Sequence, residues 1–255
     1  MTIAVIPCGG RGTRLAHLSQ GQPKELLPVA GKPLLQWTLE EAAAAGLRRA
    51  VVVTSPDKPQ LARFLADRPV AGLSVGVALQ PEPRGLGDAI TRARDLAGAE
   101  PVAVLLPDNL FSTACAIAPV LRARDATGFA AVLTAEIASR DAGTKGATGR
   151  IRAVPRPDGL LAIQAIADKG PSGARFDTGG GPAALTPIGR MVFDAGIFEL
   201  LESLRARLAP GAELDDVPAL QTLAREGRLV GVPLPGAFYD VGVPEGYQNA
   251  LAALT

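Results

Sequence analysis

Residues 6–14 read IPCGGRGTR, three glycines and two arginines directly after a short apolar run. Glycine permits positive φ and carries no Cβ, so successive backbone N–H groups in such a turn can converge on phosphate oxygens or on a base edge. Arg11 and Arg14 put positive charge in the same turn, and Lys24, which follows Pro23, is close enough in sequence to return to it. These residue types suit a polyanion held by amides and local cations; a purely structural glycine corner is the alternative reading. Neither common phosphate motif occurs: GGRGTRL lacks the final glycine of GxGxxG, and there is no GxxxxGK[ST]. A dinucleotide oxidoreductase and a P-loop enzyme therefore both lose support. Asp108, in LLPDN, follows an apolar run. At the carboxyl end of a buried strand a carboxylate can hold Mg²⁺ while the ion keeps waters and phosphate oxygens; the alternative there is an Asp that caps a turn.

Such residues need a scaffold that brings distant segments to one edge. Unbroken β-rich runs at 3–6, 50–54 and 102–106 predict strands buried on both faces, a parallel-sheet signature. Helical patterns at 34–45, 59–66 and 88–96 alternate with them, so the first half reads as a Rossmann-like, doubly wound α/β unit. In open sheets of this kind ligands sit beyond the carboxyl ends of the strands, where IPCGGRGTR falls. The second half changes rhythm. A run at 130–137 precedes a hairpin turning at Pro157-Asp158-Gly159, and a Gly-rich stretch at 173–182 reads either as a disordered surface loop or as a flap over the ligand. A short strand at 190–193, helices at 197–207 and 217–226, a strand at 229–232 and a final helix at 244–254 complete the pattern. We expect a single domain over 1–255: a mixed sheet with a small antiparallel annex at about 140–190.

Composition narrows the classes further. The 255 residues are 47% hydrophobic, enough for a sizeable core. Against 26 Lys plus Arg stand 25 Asp plus Glu, so no net field draws the chain to nucleic acid or an anionic membrane. Cys8 and Cys115 lie far apart and His17 is the lone histidine, which excludes a Cys/His zinc cluster and a disulfide framework. No apolar run approaches the about 18–20 residues of a membrane span, and MTIAVIPC lacks a basic leader, so the expectation is a soluble, cytoplasmic protein.

Together, IPCGGRGTR and PKELLPVAGKPLLQW resemble the opening of the sugar-1-phosphate nucleotidylyltransferases. The resemblance continues in order through LQPEPRGLGDAI (79–90), VAVLLPDNLF (102–111), ADKG (167–170), PIGRMVFDAGIFELL (187–201) and FYDVG (238–242), nearly the whole chain. QPEP with GLG, and GRMVFDAGIFELL, are most similar to the bacterial UTP–glucose-1-phosphate uridylyltransferase branch. The resemblance implies the nucleotide-diphospho-sugar transferase type of fold. It also implies attack of a sugar 1-phosphate, glucose 1-phosphate in this branch, on the α-phosphate of UTP, with pyrophosphate released. The partners would be small-molecule substrates and other copies of the chain.

Carried over residue by residue, the resemblance implies Arg14 and Lys24 as catalytic cations and Asp108 with Asp240 as the Mg²⁺ carboxylates. Gly9, Gly10, Gln80 and Gly85 would take the nucleotide; Glu25 would touch it or pair with a neighbouring cation. Lys169 would meet the sugar phosphate as a catalytic and binding cation, with Asp168 and Gly149 near the sugar hydroxyls. The family usually shows Glu-Lys-Pro where this chain has Asp168-Lys169-Gly170, so the acid is one methylene shorter and the sugar less firmly specified. GAELDDVPALQ (211–221) also departs from an acidic-polar run, and Asp215 or Asp216 reads as a helix cap. Cys8, Trp37 and Phe198 read as core and His17 as surface. A thymidylyltransferase or another base and sugar choice is the nearest alternative; a silent nucleotide-sugar regulator would have lost Asp108, Asp240, Lys24 or Lys169, all present. If Lys169 meets the sugar phosphate, Lys169→Ala raises the KM for that substrate more than for the triphosphate, and steady-state kinetics with each substrate varied will register the split.

Overall fold

A computed structural model describes residues 1–171 and 173–254. Its strands, in chain order, are β1 (Ile3–Pro7), β2 (Pro28–Val29), β3 (Lys32–Pro33), β4 (Arg49–Thr54), β5 (Ser74–Leu79), β6 (Val102–Leu105), β7 (Asn109–Phe111), β8 (Ala130–Ala138), β9 (Ile151–Pro155), β10 (Leu161–Ile166), β11 (Ala183–Phe193), β12 (Leu229–Pro233) and β13 (Phe238–Asp240). Nine of them form one mixed sheet in the order β5-β4-β1-β6-β11-β8-β12-β10-β9. The chain runs from β1 outward to β4 and β5, then returns to the other side of β1 as β6, all four parallel. The loops after β1 and β6 therefore part in opposite directions at the strand ends and leave a crevice between them.

The unbroken apolar strands are buried on both faces because side chains alternate along a strand. Val5, Val51, Val53 and Val104 pack on one face, against helices Leu86–Arg92, Ile197–Arg205 and Val217–Arg225. Ala4, Ile6, Val52 and Leu105 pack on the other, against Leu34–Ala44, Pro59–Asp67 and Ile117–Thr127. Leu35, Leu39 and Ala42, spaced at helical periodicity, supply the buried stripe of Leu34–Ala44. Phe198 and Cys8 are core, Trp37 is half-buried with its indole N–H donated to Val29 O at 3.1 Å, and His17 is exposed.

Several elements differ from the sequence expectation. The hairpin β9/β10 extends the main sheet through β12, so the antiparallel annex is the far edge of that sheet; Ser172, within the expected annex, lies outside the described residues. The strand expected at 190–193 begins at Ala183, because Ala183–Ile188 pairs with β8 before a register shift and only Arg190–Phe193 pairs with β6. The helix expected at 88–96 is two pieces, Leu86–Arg92 and Arg94–Ala97. The ribbons β2/β3 and β7/β13 escaped the sequence reading because runs of two or three residues carry no periodicity. The Gly-rich stretch is docked: Phe176 is buried and its N–H donates to Lys145 O at 3.1 Å.

At the β11 irregularity the side chain of Arg190 turns into the core and is 1% exposed. Its Nε and Nη2 donate to Glu41 at 3.0 and 2.6 Å, and its Nη1 and Nη2 donate to the carbonyls of Leu106 and Asn109 at 2.9 and 3.2 Å. Glu41 Oε1 also accepts the N–H of Ile117 at 2.8 Å, which fastens the next helix to the same pair. Removing one partner leaves a buried charge unpaired, so Arg190→Met should cost about 3–5 kcal/mol, readable as a fall in the urea midpoint.

Candidate active site

The glycine turn after β1 bounds a cavity of about 560 Å³ whose wall includes Gly9, Gly10, Arg11, Arg14, Lys24 and Gln80. Gly12 adopts φ +64°, which a side chain rarely takes up, so the turn's backbone favours glycine there, and the Lys24 stem packs against it at ordinary contact distance, 3.4 Å from where a Cβ would stand. Behind the turn, Lys58 Nζ donates to Cys8 O at 2.6 Å, to Gly10 O at 2.7 Å and to both oxygens of Glu25 at 3.0 and 3.1 Å. Glu25 thus pairs with a cation, and it also lines the cavity. Lys58 was missed, although it follows a strand end of the same edge, the placement that singled out Asp108.

Gln80 lies against the turn: a Cβ on Gly9 would come within 2.1 Å of Gln80 Oε1. Its Nε2 donates to Asp88 Oδ2 at 2.8 Å and to Gly85 O at 3.1 Å, leaving Oε1 as an acceptor beside Gly9. Gly85 holds φ +98°, and a Cβ there would stand 2.3 Å from Leu214 O, so only glycine brings these two loops together. Asp88 is anchored in turn by Arg205 Nη1 at 2.7 Å and Arg92 Nη2 at 3.2 Å.

Asp108 and Asp240, 132 positions apart, meet because β7 pairs antiparallel with β13, Asn109 opposite Asp240, and Val241 N–H donates to Asp108 O at 2.8 Å. Asp108 Oδ2 and Asp240 Oδ1 each lie 3.0 Å from the point a Cβ on Gly242 would fill, so the two oxygens converge on one small space. Asp240 accepts backbone N–H bonds from Gly146 at 2.6 Å and Gly242 at 3.0 Å, which fix its carboxylate plane. Burial and then the charge of Asp108 push its carboxyl above the ordinary range. Burial opposes ionisation of Asp108 as well, but its ion pair with Lys24 and the nearby Arg14 outweigh that and hold it low. Lys24 is raised in the same way: burial disfavours its charge, and Asp108 and Glu25 more than restore it. Two converging hard-oxygen donors with a residual repulsion between them fit a small divalent ion that keeps waters and binds phosphate oxygens. Among the described residues no group of three or more His, Cys, Asp or Glu could hold a metal ion.

A second cavity, sharing Arg14, Gly85, Leu86, Leu106 and Asp108 with the first, runs on beyond Asp240 to Lys169, Asp215 and Phe176. Lys169 is ion-paired with Asp215 across it. That corrects the cap reading: Asp216 occupies the N-cap position of Val217–Arg225 without a side-chain cap bond, and Asp215 faces the lysine. Burial and the neighbouring Asp215 push the Asp216 carboxyl well up. Asp168 is exposed and accepts from Gln221 Nε2 at 2.7 Å, outside the residues lining the cavity. Gly149 serves the backbone: its carbonyl accepts from Thr186 Oγ1 at 2.9 Å, and a Cβ would stand 2.4 Å from Ala167 O. Lys145 lines the cavity without any motif to announce it. It is buried, donates to Phe238 O at 2.8 Å and lies 4.7 Å above the Phe238 ring; burial lowers its pKa.

A crevice at the β1/β6 switch, walled by amides and cations on one side and closed by two carboxylates, defines a Rossmann-like nucleotidyltransferase. The chain belongs to the nucleotidyl transferase family, whose profile matches residues 3–255. It is 30% identical over 286 residues to a UTP–glucose-1-phosphate uridylyltransferase of Streptococcus pneumoniae, covering 96% of this chain and 87% of the relative. Among solved structures it is similar to a UDP-glucose pyrophosphorylase complexed with UDP-glucose, with a TM-score of 0.81, 27% identity and coverage of 100% and 98% of the two chains. A UTP-bound pyrophosphorylase of Acinetobacter baumannii aligns with a TM-score of 0.79 and 25% identity, covering 100% of this chain and 93% of that one. Among the described residues no helix is long and apolar enough to cross a membrane.

The cluster behind Gln80 generates a pH dependence. Burial opposes the charge of Asp88, but Gln80, Arg205 and Arg92 outweigh it and lower its pKa from the ordinary 3.8. A depressed folded value means that the stabilisation is complete above 3.8 and is lost as pH falls from there through the lowered value. Asp88→Asn should therefore be less stable than the parent at neutral pH and lose less stability below pH 3.8, a difference that chemical denaturation across pH will resolve.

Proposed function

We propose that the protein transfers the uridylyl group of UTP to glucose 1-phosphate, forming UDP-glucose and pyrophosphate, as a single cytoplasmic domain over 1–255. The observation that carries this reading is the convergence of Asp108 and Asp240, beside Lys24 and Arg14, at the junction of the two cavities. There an α-phosphate held on the glycine-turn side would face a sugar phosphate entering from the Lys169 side. The relatives' UTP and UDP-glucose support the choice of substrates. So does Gln80: with Nε2 engaged, its Oε1 offers an acceptor to an imide N–H such as that of uracil, whereas cytosine carries no N–H at the corresponding ring nitrogen.

Two polyanions repel, so the protein's task is alignment and neutralisation rather than covalent chemistry. The turn amides of Gly9 and Gly10 would bind the nucleotide, Arg14 and Lys24 would balance charge on its phosphates, and Lys169 would leave Asp215 to meet the sugar phosphate. A phosphate oxygen of the sugar 1-phosphate attacks the α-phosphorus in line, the bond to the bridging oxygen breaks, and pyrophosphate departs with that electron pair. Mg²⁺, held by Asp108 and Asp240, would supply further neutralisation of phosphate oxygens when bound. Asp168 would need to release Gln221 to reach a hydroxyl, so the sugar-side contacts fall first to residues already lining the cavity.

Pyrophosphate release measured across UTP, dTTP, CTP, ATP and GTP, with a panel of sugar 1-phosphates, tests the reading. UTP with glucose 1-phosphate should give the highest kcat/KM; parity with dTTP or CTP would defeat the uridylyl assignment and leave nucleotidyl transfer standing. Asp108→Asn should lower kcat by about 10²-fold or more, the scale set by losing one electrostatic stabiliser, with little change in the unfolding midpoint.

A further inference from the structure

Lys58 touches nothing that the reaction consumes, yet it is one of the most fully engaged cations in the molecule. Its side chain is 11% exposed and that of Glu25 is 1% exposed. An ammonium has three N–H donors, and here two go to the carbonyls of Cys8 and Gly10 and the third is shared by the Glu25 carboxylate. No donor remains for a ligand. Lys58 is also absent from the cavity wall formed by Gly9, Gly10 and Arg11, so the turn stands between it and the cavity.

The peptide unit converts this tether into an orientation. No peptide bond of the described residues is cis, and in a planar trans peptide the C=O and N–H point to opposite edges. Drawing Cys8 O and Gly10 O onto Lys58 turns the N–H groups of Gly9 and Arg11 the other way. Among the described residues neither of those amides donates to another protein group. A turn built on Gly9-Gly10 has many backbone conformations open to it, and donors fixed in advance cost no reorganisation when the anion arrives.

We propose that Lys58 is a positioning residue that holds the turn amides toward the triphosphate, and that Glu25, which also lines the cavity, neutralises it there. This rests on the reading above that the glycine turn takes the triphosphate. Glu25 is needed because a lysine this far from solvent requires a counter-charge, and the carboxylate also fixes the height of the ammonium beneath the turn.

The test compares wild type with Lys58→Arg, Lys58→Met and the double variant Lys58→Met/Glu25→Gln, in which no buried charge is left unpaired. UTP and glucose 1-phosphate are each titrated by calorimetry and varied in steady-state kinetics, with thermal midpoints recorded. Lys58→Met should weaken UTP binding and raise its KM by about tenfold or more, equivalent to ~1.4 kcal/mol, with the KM for glucose 1-phosphate within about twofold. The double variant should recover the thermal midpoint without recovering UTP affinity, and Lys58→Arg should restore part of it. UTP affinity within about twofold of wild type in the double variant, or equal weakening of both substrates, would overturn the assignment. If wild type itself binds no triphosphate, the proposed function fails and this inference with it, an outcome distinct from intact binding in every variant.

Discussion

Two carboxylates brought together in a half-buried cleft are the constraint around which the rest of the molecule is arranged. Left alone, Asp108 and Asp240 would repel, and burial first, then the charge of Asp108, raise the pKa of Asp240. The β7/β13 ribbon forces the approach, the amides of Gly146 and Gly242 fix one carboxylate, and Lys24 holds the other. Such an arrangement is unfavourable for folding by itself and is maintained by its surroundings, as expected where charge must be ready before a substrate arrives.

Behind the cleft, buried ionic clusters repeat one device: a charged side chain grips backbone carbonyls or an amide of a site loop and is neutralised from the scaffold. Arg190 with Glu41 holds Leu106 and Asn109 on either side of Asp108. Lys58 with Glu25 holds the glycine turn. Asp88 with Arg205 and Arg92 sets the amide of Gln80. Buried ion pairs contribute little net stability against apolar replacements of the same shape, and here they fix loop conformation, which apolar contacts, being non-directional, do less well.

The sugar side is assembled differently. Lys169 faces Asp215 across the cavity, Lys145 lies buried against Phe238, and Phe176 from the Gly-rich stretch packs as one wall. Asp168, by contrast, is turned to Gln221. The chain thus carries a shorter acid in ADKG, turned away to Gln221, and presents another from LDD, Asp215, to Lys169.

The sequence by itself determined the three central strands of the doubly wound half, because strands buried on both faces must be continuously apolar, and two of the helices between them, which end near Gly46 and Gly98; the partly exposed edge strand β5 carried no such run. It determined the glycine turn and Asp108 as strand-end features for the same reason. It also carried, through ordered motifs, the pairing of Asp108 with Asp240, which no local pattern could have supplied across 132 positions. Only the tertiary structure decided the partners. That Glu25 pairs with Lys58, that Asp215 faces Lys169, and that Lys58, Lys145 and Arg190 stand at or behind the cleft, depend on contacts between segments far apart in the chain. Hydrophobic periodicity is a property of neighbours in sequence and can be read from it; a charge takes its role from whatever the fold brings within a few ångströms, and that distance is set only when the sheet has closed around it.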